Sequence, residues 1–290
     1  MGKHSVPRRH LRHFESPERP EFIWQHDKRG NPPVLAKIGK VAQQEGYFDD
    51  DTEERLTREI ERPGGDAIQK ILERQPLTDS ELRAFAVHVG SMIRRIPFHR
   101  EWGRGIAADY LPGAIEEERR NFPVLLREVA EQHGHDEDWV QARIAVMERV
   151  LKEHQGELPQ NIVDMVDSPF PSENVVAVLL TMHWRVLQST GPQHFVTSDY
   201  PANFFLKEGI GLAVKDTELI FPISKEVALH GSHQPVVRPF FRDPANQRFV
   251  REVNKRMIMQ ATRFVFSHDN ASWIAKLLTR TDLVITRLGR

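Results

Sequence analysis

An α+β fold is predicted, with a helical N-terminal and middle part packed against a β-rich C-terminal half as a single compact unit. Three observations lead there. Apolar residues recur at helical spacing through the first part of the chain, most clearly in Leu82, Phe85, Ala86, Val89, Met92, Ile93 and Ile96. Beyond Pro169-Phe170-Pro171 the texture changes to short apolar or β-branched runs bounded by Gly, Pro, Asp and Asn. Helices and strands segregated along one chain are the α+β pattern. At 290 residues there is material for one large domain or two small ones. The expectation is one domain over 1–290, with a subdivision into a mainly helical 1–168 and a β-rich 172–290 left open.

The elements follow in order. Residues 1–14 form the most basic segment, with Lys3, Arg8, Arg9 and Arg12 interleaved with His4, His10 and His13. Two readings stand for it: an arm facing phosphate or nucleic acid, or a solvated terminus with some charges paired. On a helix His10 and His13 would share a face, a spacing compatible with metal binding. Glu21–Gln25 suits a short strand, and the turn chemistry of Asp27–Asn31 follows. The acidic run 49–54 is open to two readings, a metal cradle or a helix N-terminus, where the macrodipole favours carboxylates. That helix carries Leu56 and Ile60, and Pro63-Gly64-Gly65 is expected to break or kink it just after Glu61.

Thr78-Asp79-Ser80-Glu81 is a capping box, and it opens the helix whose apolar stripe is given above. His88, Ser91 and Arg95 lie on a neighbouring stripe, where they can line a pocket or snorkel to water. Pro97 is expected to stop this helix. From Ala114 to His154 two helices are predicted, an αα-hairpin with His133 and His135 in its loop. A short helix around Gln160–Val166 follows. Periodicity cannot decide whether Val175–Leu180 is helix or strand. Strands are expected at Trp184–Gln188, Phe195–Ser198, Leu219–Pro222, Val236–Phe240 and Phe264–Ser267. A helix from about Ala245 to Ala261 interrupts them, and a short helix (Ser272–Leu278) and a last strand (Leu283–Thr286) end the chain.

Composition excludes several classes. The net charge is −1 with no cysteine, so bulk charge argues for neither nucleic acid nor a membrane. Disulfides, zinc ribbons, iron–sulfur clusters and thiol nucleophiles are excluded, and a transition metal would need His and carboxylates. The longest apolar run, Val175–Leu180, is far below the roughly 20 residues of a spanning helix. No membrane partner and a cytoplasmic location are the expectations. No GxGxxG, Walker loop, GxSxG or HExxH is present.

The stretch His194–Pro201 stands out, because an apolar run ends there in Thr197, Ser198 and Asp199 before Tyr200 and Pro201. On a strand, Thr197 and Asp199 point together and Ser198 points away. Asn254 falls at the edge of the buried face of its helix, and a half-buried amide needs partners.

Taken together, His4-x-Val6-Pro7-x-x-x-Leu11-Arg12-x-Phe14, Ile60-Glu61, Arg95-x-Pro97, Trp184, Phe195-x-Thr197-Ser198-Asp199-x-Pro201, Phe221-Pro222-Ile223-Ser224, Val253-Asn254 and Arg263–Ser267 form an ordered set. The chain resembles the bacterial domain-of-unknown-function 4238 family, whose members begin HxVPxxYLRxF and carry TSDxP. Two positions depart from that pattern: His10 where the family usually has Tyr, and Tyr200 where it often has Asn. His10 and His13 are therefore poor candidates for a shared site. The resemblance implies a single compact fold and a shared set of polar positions, not an activity.

Two functional expectations follow. In the first, a hydrolase-like enzyme acts on a phosphate-containing substrate or a nucleic acid. His4, Glu61 and Asp199 would be catalytic, and Arg12, Arg95, Ser198 and Asn254 would bind substrate, with a divalent metal ion as an optional partner. In the second, the chain is a non-catalytic binding or interaction protein whose polar residues form a structural network, with Asp199 capping backbone N–H groups. Convergence of His4, Arg95 and Asp199 in an open cleft would favour the first; a closed, paired cluster would favour the second.

Overall fold

The computed structural model describes residues 3–44, 48–153, 160–205, 212–236, 239–240 and 242–280. Helices take 53% of the chain and strands 16%, with the helices concentrated before the strand-rich C-terminal half, so the predicted α+β class holds. The chain divides into two compact units, one of Met1–Ile96 with Pro169–Arg290 and one of Pro97–Ser168. The divide at Pro169 coincides with the composition change, but residues 1–96 cluster with the C-terminal half rather than with the middle helices.

The N-terminal part begins with strand β1 (Lys3–His4) and helix α1 (Arg8–Arg12), then β2 (Phe22–Asp27), β3 (Val34–Lys37) and β4 (Gln43–Gln44). Helix α2 (Asp50–Arg55) starts from Asp49, whose carboxylate accepts the Thr52 N–H. It does not break at Pro63. Instead it passes through a π-helical turn, Leu56–Glu61, closed by the Arg62 N–H donating to the Thr57 carbonyl, and runs on as α3 (Arg62–Leu72). Pro63 is the second residue of α3 and follows directly on that π turn. Gly64 and Gly65 serve close packing: a Cβ at Gly64 would lie 2.2 Å from the His88 Cβ. Helix α4 (Asp79–Arg94) has both bonds of its capping box, and its predicted stripe is buried apart from Leu82, which is half-buried.

The second unit holds α5 (Pro97–His133), α6 (Glu137–Glu153) and α7 (Gln160–Asp167). Pro97 opens α5 rather than merely closing α4, so the first arm of the helical hairpin begins well before the predicted Ala114. Arg119 bridges to Glu148 and Arg127 to Glu137 across the hairpin, and Arg100 and Arg104 hold Asp167. His133 and His135 are exposed.

Helix α8 (Glu173–Thr181) settles the ambiguous run as helical, because Ser172 accepts the Val175 N–H at its start. Then come β5 (His183–Ser189), β6 (Thr197–Ser198), β7 (Asn203–Phe205), β8 (Glu218–Pro222), β9 (Val227–Ser232), β10 (Arg242–Ala245), α9 (Gln247–Gln260), β11 (Phe264–Ser267) and α10 (Ser272–Leu278). The run Val236–Phe240 lies partly outside the described residues, and Leu283–Thr286 lies wholly outside them.

Strands order as β10-β5-β9-β8-β7 in one sheet and β3-β2-β11-β6 in another. In the first, β10 runs parallel to β5 and the remaining pairs are antiparallel. The second explains why the N-terminal segment belongs with the C-terminal half. Strand β2 pairs with β11 in the register Phe264↔Asp27, and β11 pairs in turn with β6. A core of Phe85, Met92, Trp184, Phe221 and Leu229 with its neighbours fills the space between α3, α4, α8 and the sheets. A second core of Phe195, Ile220, Val253, Met257 and Val265 lies under α9.

Candidate functional site

Three buried polar groupings stand out, and two of them hold residues singled out by sequence. The first is built by the π turn and α4. Arg95, 1% exposed, donates from Nη1 to Glu61 Oε1 at 2.8 Å, while the Glu61 side chain keeps 21% exposure. The π turn ends at Glu61, and the Glu61 carboxylate meets the residue that closes α4. His88, two turns earlier on α4, is buried beside Ile60. Burial, then the Arg95 charge, hold its pKa down to about 4, against the pull of Glu61. It is therefore a neutral imidazole at pH 7. Neither His88 nor Arg95 reaches water, so the expected choice between pocket lining and snorkelling resolves as burial.

This grouping continues to His10, which sequence reasoning set aside. His10 is buried, its ring stacked on Phe221 at 5.2 Å, and Phe221 also lies 6.4 Å from the His88 ring. Its Nε2 stands 3.0 Å from Thr197 Oγ1. Burial pulls its pKa well below the ordinary value, with the neighbouring His13 and His88 acting in the same direction. His10 thus joins α1 to β6, and no local signal in the first fourteen residues could have shown it.

The second grouping is the TSD stretch itself. Strand character is confined to Thr197–Ser198, and the chain turns at once. Ser198 Oγ accepts the Tyr200 N–H at 3.1 Å and donates to the Tyr200 carbonyl at 2.9 Å, closing that turn on itself. Asp199 accepts three successive backbone N–H groups, from Thr262 at 2.8 Å, Arg263 at 2.7 Å and Phe264 at 2.8 Å. Those are the loop and first residue of β11. Burial raises the Asp199 pKa, opposed by these three donors and by Lys28. Asn254, fully buried on α9, clamps the same run: its Oδ1 accepts the Val196 N–H at 3.0 Å and its Nδ2 donates to the His194 carbonyl at 2.8 Å.

The third grouping had no sequence signal. Arg256 on α9 donates to Glu218 at the start of β8 at 2.7 Å, and His230 on β9 lies 3.8 Å from the same carboxylate. All three are buried. Strand register puts His230 opposite Ile220 and Arg185, a pairing invisible before the sheet is known.

Of the remaining expected residues, Arg12 is exposed and pairs with Glu21 at 3.3 Å, a contact near the surface. His4 pairs with Gln43 in a two-residue strand; its side chain lies outside the described residues. The structure brings Glu61 to Arg95, and Asp199, Ser198 and Asn254 around one turn. Separate sets of partners hold the two groups, linked through His10. Among the described residues no three His, Asp or Glu side chains stand together as a cradle for a metal ion. No described helix is long and apolar enough to cross a membrane.

Other motif positions have equally definite partners. Val6, Leu11 and Phe14 are fully buried. The Trp184 indole donates to the Leu179 carbonyl, and Ser224 Oγ accepts the Val227 N–H in the β8–β9 turn. A family model described as a protein of unknown function (DUF4238) matches residues 3–271. No curated protein and no solved structure matches the chain.

Proposed function

The chain belongs to that family, DUF4238, and from this premise we propose that it is a non-catalytic binding or interaction protein whose motif residues form an internal polar frame. The observation carrying this reading is the triple acceptance at Asp199: both carboxylate oxygens are engaged by the Thr262, Arg263 and Phe264 amides. Both oxygens are thus turned to the backbone of the loop before β11, where they tie two chain segments together rather than face a substrate. Asn254 and Ser198, both fully buried, bind backbone groups in the same way. A bacterial, cytoplasmic setting is part of the proposal. The test is incubation of wild type and Asp199→Ala with RNA, DNA and simple phosphoesters, with and without magnesium or manganese. No substrate should be consumed. Consumption by wild type that Glu61→Gln abolishes would overturn the reading.

A second reading rests on one specific feature. Glu61 is the only member of the Glu61–Arg95–His88 set with appreciable exposure, and it sits at the end of a π turn, a distortion found frequently at functional sites. In a hydrolase acting on a phosphate-containing substrate, a nuclease included, Glu61 would serve as base, held in place by the enclosed Arg95.

A further inference from the structure

Helix α3 ends in a Schellman motif: the Gln75 N–H donates to the Lys70 carbonyl at 2.8 Å and the Arg74 N–H to that of Ile71 at 3.2 Å. The motif's left-handed position is usually glycine, because a Cβ there is strained. Here it is Arg74, at φ 64°. Arg74 is exposed, and among the described residues its guanidinium pairs with no carboxylate. It stands at a pocket of about 680 Å³. A second left-handed residue, Phe240 at φ 54°, lies on that pocket's wall beside Ile71, Leu77 and Leu82. Arg242 supplies a second cation. It donates to the Ile71 carbonyl at 3.1 Å, and to the Leu72 carbonyl and the Gln188 side chain, all neutral acceptors. Burial and then the Arg74 charge pull the Arg242 pKa down, with the Glu226 charge opposing them, so the two cations repel each other here.

Two left-handed residues at one pocket mark it as a place where strain is retained, and the two neighbouring arginines, whose hydrogen-bond acceptors here are neutral, make it electropositive beside its apolar wall. The volume suits a small organic molecule. We infer that this pocket binds a small molecule carrying an anionic head, a carboxylate or a phosphate, on an apolar body. The arginines take the head, Arg74 through its planar fork. The side chains of Ile71, Leu77, Leu82 and Phe240 take the body. The inference rests on the binding reading above and supplies its ligand class.

Titration calorimetry of the full chain with decanoate, decyl phosphate and decanol tests it. At least one anion should bind about tenfold more tightly than the alcohol; the tighter of the two anions identifies the head group. Arg74→Gly should weaken anion binding by about the same factor and leave decanol unchanged. Because glycine suits the left-handed position, the melting temperature should hold or rise, which separates lost binding from lost folding. Failure of both anions to bind, equal binding of decanol, or an Arg74→Gly variant with wild-type affinity would overturn the assignment. Release of inorganic phosphate from decyl phosphate would overturn the non-catalytic reading and leave the pocket assignment standing.

Discussion

Arg95 and Glu61 form an ion pair of unequal burial: the guanidinium is enclosed and the carboxylate reaches water, at 2.8 Å from each other. Removing the two partners should therefore have different consequences. Glu61→Ala takes the carboxylate from a buried cation and should cost about 3 kcal/mol. Arg95→Met leaves a carboxylate that can turn to solvent, and replaces the cation with an apolar side chain of similar length. That change should cost about 1–2 kcal/mol. Urea unfolding of both variants checks the order; equal costs would mean that Glu61 is no partner of the buried charge.

His88 makes stability depend on pH. Its folded pKa is held to about 4, below the ordinary 6.5, by burial, with Arg95 and Arg9 acting in the same direction. Glu61 and the Ile60 carbonyl oppose them. The unfolded chain therefore binds the proton first. The contribution is fully present above pH 6.5 and is lost as the pH falls from there through 4, at up to about 1.4 kcal/mol per pH unit. His10, His26 and His230, each lowered chiefly by burial, add to the same loss, so His88→Gln removes only its own share of the slope. Urea midpoints measured between pH 7.5 and 5 should fall with pH, and His88→Gln should flatten the slope. An unchanged slope in the variant would place the titrating group elsewhere.

Adjacent glycines in α3 should answer differently to alanine. At Gly64 a Cβ would meet the His88 Cβ at 2.2 Å, an atom fixed to the backbone of α4, so Gly64→Ala should cost about 2–3 kcal/mol. At Gly65 the nearest atom is the far end of Arg9, 2.7 Å away and able to swing aside. Helix propensity then favours alanine by roughly 0.5–1 kcal/mol, and Gly65→Ala should be near neutral. Thermal melts of the two variants make the comparison.

Local chemistry was legible in the sequence wherever it acts locally. The capping box at Thr78 and Glu81, the stripe of α4 and strand β11 at Phe264–Ser267 all form where pattern and turn chemistry put them. Pro63-Gly64-Gly65 reads as a break because proline and glycine disfavour helices. Its helical outcome needs a π turn before it and the close approach of His88, both tertiary facts. Long-range pairing hid the rest. Strand β2 finds its partner β11 more than two hundred positions away, so residues 1–96 could not be assigned to the C-terminal half by texture. His10 looks like one charge among many in a basic terminus until Thr197 and Phe221 close over it. Asp199 was identified, but a sequence cannot tell a carboxylate facing substrate from one facing three amides.

That distinction is the centre of the account, and native-state hydrogen exchange tests it most directly. In wild type the amides of Thr262, Arg263 and Phe264 should be protected by the Asp199 carboxylate. In Asp199→Asn, which loses part of this acceptor capacity and about 2 kcal/mol of stability, these three should exchange at least about tenfold faster relative to the remaining α9 and β11 amides. Unprotected amides in wild type, or protection untouched by the substitution, would show the carboxylate free of the backbone and contradict the frame.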